Sequence, residues 1–201
     1  MTWIATVPCE AAEGQLRELY DRLEAPGHRV DNLMLAHSLR PHALAGHMAL
    51  YQNVLDHAGN TLDRALLQAI GIWVSLLNGC GYGIERHYAG LRGLLRDDVR
   101  AEAIRLALEA GAPERAFAGR ELALFAYAAR LTTDPATLTK AHIQALRHAG
   151  LDDGQILEAN QAVAYVAYAN RTALGLGVTA EDEIVGGSPF ERDDPEYPGQ
   201  P

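Results

Sequence analysis

The chain has 201 residues, 48% of them hydrophobic, and a formal net charge of −9. This length suits one soluble domain with a sizeable core, and the acidic balance argues against nucleic acid or an anionic membrane surface as a partner. The acidity is uneven, because residues 179–201 carry −6 and the rest of the chain only −3.

Ala and Leu are abundant, β-branched runs are scarce and no stretch alternates with period two, so an all-α fold is expected. The longest apolar runs, 69–77 and 162–169, are far shorter than the ~20 residues of a membrane span. The start, Met-Thr-Trp-Ile-Ala-Thr-Val-Pro, lacks the basic region and apolar core of a signal peptide, so a cytoplasmic location is expected. Cys9 and Cys80 are the two cysteines and define no disulfide framework.

Residues 9–24 read as an amphipathic helix with Leu16, Leu19, Tyr20 and Leu23 on one face, stopped by Pro26-Gly27. Asp31 is placed to cap a short helix through Ser38, and Pro41 to occupy the first turn of a helix reaching about His57. His37, His42, His47 and His57 fall here, but none has the i,i+4 spacing of a helical metal pair and no carboxylate cluster accompanies them. They read as surface or capping histidines, and no metal or other cofactor is expected.

Residues 61–77 are apolar almost all round, the pattern of a buried central helix. One stripe differs: Arg64, Gln68, Gly71, Ser75 and Asn78 follow at steps of four and three. With no more than the residues to go on, this stripe reads equally well as a solvated face. Asn78-Gly79 ends the helix, and Ile84, Tyr88, Leu91, Leu94 and Leu95 resume the period, so Cys80 falls at or just before the start of a second, antiparallel helix. Unpaired amides and the helix dipole at such a position lower a thiol pKa, which makes Cys80 a candidate nucleophile. In the hairpin Gln68 comes level with His87, while Gly83, one turn before His87, offers no side chain. Gly79, Gly81 and Gly83 leave bare amides near the helix start, suited to a carboxylate or peroxide oxygen.

Downstream, helices are expected from Asp97-Asp98 to about Ala110, over 119–132, from Thr139 to His148, and from Asp152 to about Leu174, where Asp152 and Gln155 approximate a capping box. From Thr179 the chain is acidic and Pro-rich and reads as an extended tail. The expected organisation is a helical domain over 1–178 and a tail over 179–201.

The Gln68, Cys80, Gly83 and His87 constellation, in its "WVSLLNGC" context, resembles the core motif of the alkylhydroperoxidase D and carboxymuconolactone decarboxylase superfamily, in its peroxidase-related branch. There a Glu lies twelve residues before the first Cys of a Cys-x-x-Cys, and a His follows the second Cys by four. The runs "LAHSLRPHALAGHMALYQNVL" and "YVAYANRTALGLGV" extend the likeness over most of residues 10–178. The resemblance implies an antiparallel multi-helix bundle and a homo-oligomer, trimer or hexamer.

Two departures have chemical consequences. Gly83 cannot resolve a sulfenic acid as a second thiol does, and Gln68 cannot take up a proton as Glu does. Three readings follow. A single-cysteine peroxidase would use Cys80 on a hydroperoxide, His87 for protons, Gln68 for orientation and an external thiol as reductant. A non-redox enzyme would act on a small organic acid or lactone, with His87 as acid or base, substrate entering at Gly83 and the glycine amides on its carboxylate. A catalytically inactive member would serve as an oligomeric binding protein. The sequence ranks the first slightly ahead.

Overall fold

The computed structural model describes residues 1–23 and 30–180, and among them all regular structure is helical. The Pro26-Gly27 stop and all of the acidic tail beyond residue 180 lie outside the described residues. No described helix is long and apolar enough to cross a membrane.

The fold is built around α4 (Arg64–Asn78), which starts where the Asp63 carboxylate accepts from the Leu66 amide at 3.1 Å. Leu67, Ile70, Ile72 and Val74 are fully buried on different sides of it. It therefore packs against several partners at once: α5 (Gly81–Leu95), α6 (Asp98–Glu109), α7 (Gly119–Thr133) and the long α9 (Asp153–Leu176). The Trp73 indole crosses to α7 and donates to the Phe125 carbonyl at 3.2 Å.

The α4 to α5 turn closes as expected. Gly79 takes the left-handed conformation at φ 67°, its amide donates to Leu76 O and the Cys80 amide to Ser75 O at 2.9 Å, the paired bonds of a Schellman cap. At the far end, Asp152 and Gln155 form the expected capping box for α9, and Gly177 ends that helix at φ 63°.

A smaller apolar cluster joins α1 (Gly14–Leu23), α2 (Asn32–Ala36) and α3 (Pro41–Tyr51), through Leu16, Tyr20, Met34, Leu44 and Met48. Here the expected helix over 9–24 is corrected. Cys9–Ala11 form a 3-10 turn, Ala12 is extended and Gly14 sits at φ 52°, so the α-helix begins only at Gly14. Asp31 caps α2 as expected, accepting from the Leu33 and Met34 amides. Pro41 opens α3, which continues as a π-turn over Gln52–Asp56. α8 (Lys140–His148) completes the set, its N-terminus closed by Thr139 and His142.

Candidate functional site

Between Gln68 and Ser75 the stripe on α4 is not a solvated face, whereas the Arg64 side chain at its start is partly exposed. Gln68 is 4% exposed and Ser75 fully buried, because α5 and α9 cover that side of the helix. Gln68, Gly71 and Ser75 each have a specific neighbour. The Gln68 Oε1 lies 2.8 Å from His87 Nδ1 across the hairpin. Gly71 provides the room for that imidazole, since a Cβ there would stand 2.5 Å from the ring. Gly90 does the same for Gln68, whose amide carbon would be 2.9 Å from an added Cβ. Ser75 exchanges hydrogen bonds with Asn170 of α9.

The Gln68 contact decides the chemistry of His87. An amide oxygen only accepts, so Nδ1 carries the proton and Nε2 keeps its lone pair. Burial, and next the Arg86 guanidinium, hold the His87 pKa down to about 4, so the ring is neutral at pH 7.

Cys80 behaves otherwise than expected. It sits at the N-cap of α5, but its residue is only 1% exposed and belongs to the main apolar core. Burial pushes its thiol pKa up, and the Gly83 and Tyr82 amides offset this only in part. The expectation of a depressed thiol pKa is thus corrected: desolvation outweighs the helix terminus.

The glycines divide. Gly83 lines a cavity, together with Arg86 and His87. Gly79 and Gly81 are exposed and do not line it, and the Gly79 amide is spent on the Leu76 carbonyl. Nor is the space at Gly83 open for a side chain. A Cβ there would lie 2.6 Å from Ser75 Oγ and closer still to Asn170 Oδ1.

The cavity, about 30 Å³, lies between α2, α3, α5 and α9. That is room for about two waters or one carboxylate group. Asp31, Tyr82 and Arg86 form one side, with the Tyr82 hydroxyl donating to Asp31 Oδ1 at 3.0 Å and Arg86 pairing with Asp31 Oδ2 at 3.4 Å. Burial opposes the charge on Arg86, but Asp31 beside it wins and keeps it protonated. A single long contact leaves most of the five guanidinium donors uncommitted to Asp31. His47, Tyr51 and Tyr165 line the other side.

The structure brings Gln68 to His87 and places Gly83 and His87 beside Arg86, His47, Tyr165 and Asn170, which the sequence did not single out as site residues. His47 in particular is a correction, being 2% exposed rather than a surface or capping residue. Among the described residues no group of three or more His, Cys, Asp or Glu could hold a metal ion.

No family model and no curated protein matches the sequence. Solved structures do match the fold. An uncharacterized peroxidase-related protein from Ralstonia eutropha JMP134, described as an alkylhydroperoxidase AhpD core, superposes with a TM-score of 0.79 at 20% identity over 92% of this chain and 94% of its own. This chain has the all-α fold of the alkylhydroperoxidase D core. An uncharacterized peroxidase-related protein from Silicibacter sp. TM1040 shares the fold at TM-score 0.77 and 20% identity, with 92% of this chain and 94% of that one covered. The debrominase Bmp8, as a cysteine-to-alanine variant in complex with 2,3,4-tribromopyrrole, matches at 0.68 and 18% identity over 90% of this chain and 95% of its own.

Proposed function

We propose that the protein is a member of the alkylhydroperoxidase D and carboxymuconolactone decarboxylase superfamily that performs acid–base chemistry on a small organic acid. The observation that carries this reading is the Gln68–His87 hydrogen bond of 2.8 Å, which fixes the basic tautomer of an imidazole in the cavity wall. His87 Nε2 takes a proton from a carbon next to a carbonyl or carboxylate and returns it at another position, the proton transfer of an isomerisation. Arg86 receives the carboxylate, a role that Gly79 and Gly81 are not placed to fill. Cys80 is dispensable in this scheme.

The test is exchange of substrate C–H for deuterium in D₂O, followed by NMR over a panel of small oxo acids and lactones. Wild type and Cys80→Ser are expected to exchange and His87→Gln is not. Peroxide turnover that needs Cys80 and an external thiol, without any exchange, would overturn the reading.

That peroxidase alternative has one observation in its favour: Cys80 stands at the N-cap of α5 with the Tyr82 and Gly83 amides lowering its pKa. Against it stand the buried sulfur and the net upward shift. An inactive binding subunit gains support only from the filled space at Gly83. On the same resemblance we propose a homo-oligomer, checked by light scattering, with monomer as the contrary result.

A further inference from the structure

The cavity beside His87 is lined by one carboxylate, Asp31, and one guanidinium, Arg86, and these two already pair. Its other titratable side chains are His47 and Tyr51 from α3, Tyr82 and His87 from α5, and Tyr165 from α9. Burial holds both histidines down to about 4 and keeps the Tyr82 and Tyr165 phenols protonated. The charges of the lining therefore cancel at pH 7 before anything enters. The two oxygens of Asp31 are used unequally. Oδ1 accepts from the Leu33 amide at 2.9 Å, the Met34 amide at 3.0 Å and the Tyr82 hydroxyl at 3.0 Å. Oδ2 has Arg86 at 3.4 Å and no other hydrogen-bond or ion-pair partner among the described residues. Both side chains stay within reach of water, Asp31 at 17% exposure and Arg86 at 20%.

A carboxylate that enters brings a second negative charge beside Asp31, with a single guanidinium to serve both. Two carboxylates in one site do not both stay ionised, and a proton comes to rest between them. We propose that a small carboxylic acid binds this cavity together with one proton, which its carboxylate shares with Asp31 Oδ2 while Arg86 holds the pair. This rests on the reading of the cavity as a site for small organic acids. Anion and proton enter from solvent together, so the lining stays neutral. Oδ2 is the oxygen with room for the proton, since three donors already occupy Oδ1. His87 Nε2 remains unprotonated, as a base must be. A complex that holds one more proton than the free protein forms more readily as pH falls.

Formate is a carboxylate group bearing only hydrogen, so it suits a space of about 30 Å³. The experiment titrates the full chain with sodium formate by calorimetry from pH 5.5 to 7.5, in two buffers of different ionisation enthalpy, and follows the His87 ring by ¹⁵N NMR. Wild type is expected to take up more than half a proton per formate at pH 5.5, and to bind at least about threefold more tightly there than at pH 7.5. Asp31→Asn keeps a side chain that caps α2 and imitates the protonated acid. It is expected to bind formate at pH 7.5 at least as tightly as wild type does at pH 5.5, without proton uptake. Arg86→Gln is expected to weaken formate by roughly tenfold or more. Should Asp31→Asn fail to fold, the wild-type proton count still decides. Binding in wild type without proton uptake, weaker binding by a folded Asp31→Asn, or a proton appearing on His87 Nε2 would overturn this inference and leave carboxylate binding at Arg86 standing. Failure of formate to bind at any pH would overturn both.

Discussion

Gln68 and His87 meet side chain to side chain at 2.8 Å across the α4–α5 hairpin, nineteen residues apart in sequence. The contact exists because Gly71 and Gly90 leave their side-chain volumes to the two partners. The first prediction follows from Gly71. Gly71→Ala drives a methyl into the imidazole and costs about 1–3 kcal/mol, the usual penalty of overfilling a packed core. A chemical-denaturation midpoint checks the cost, and loss of the hydrogen-bonded His87 Nδ1–H resonance checks the cause.

Gln68→Glu restores the carboxylate of the family pattern. A negative charge at hydrogen-bond distance favours imidazolium, so the His87 pKa is expected to rise from about 4. Gln68→Leu removes the acceptor and leaves Nδ1 buried and unmet, at about 1–3 kcal/mol. NMR titration of the His87 ring separates the two outcomes; an unchanged pKa in Gln68→Glu would refute the coupling.

Stability is expected to fall in acid. His47 and His87 both have folded pKa values near 4, below the unfolded 6.5. The unfolded chain therefore binds more protons between these values, and stability is full above pH 6.5 and lost as pH drops towards 4. The two shifts together correspond to several kcal/mol, on the order of 3 kcal/mol for each histidine. Urea midpoints across pH 4–7 measure the slope, which His87→Gln is expected to reduce.

Gly83→Cys does not rebuild a dithiol site by itself. Its Cβ collides with Ser75 and Asn170, so the single variant loses stability, and pairing with Asn170→Ala is expected to relieve the loss. Thiol counting after peroxide treatment shows whether a disulfide to Cys80 then forms.

Cys80 is expected to alkylate much more slowly than the partly exposed Cys9 at pH 7.5, since only Cys80 is fully covered. In denaturant the two rates converge. Mass analysis of peptides after timed iodoacetamide treatment provides the comparison, and fast labelling at Cys80 in the native chain would revive the peroxidase reading.

The sequence by itself determined the all-α class, the two hairpin helices and the pairing of Gln68 with His87, because helical period and a glycine stop fix local register. It also placed Cys80 at the head of α5. What it could not determine was which effect governs each group once there. Whether Cys80 is activated depends on the balance of helix terminus and burial, and burial is a property of α4, α5 and α9 packed together. The same holds for the stripe from Gln68 to Ser75, equally consistent with water or core until α9 supplies Asn170. His47, Arg86 and Asp31 lie on three separate elements, and no spacing along the chain links them. Only tertiary packing brings them to one cavity.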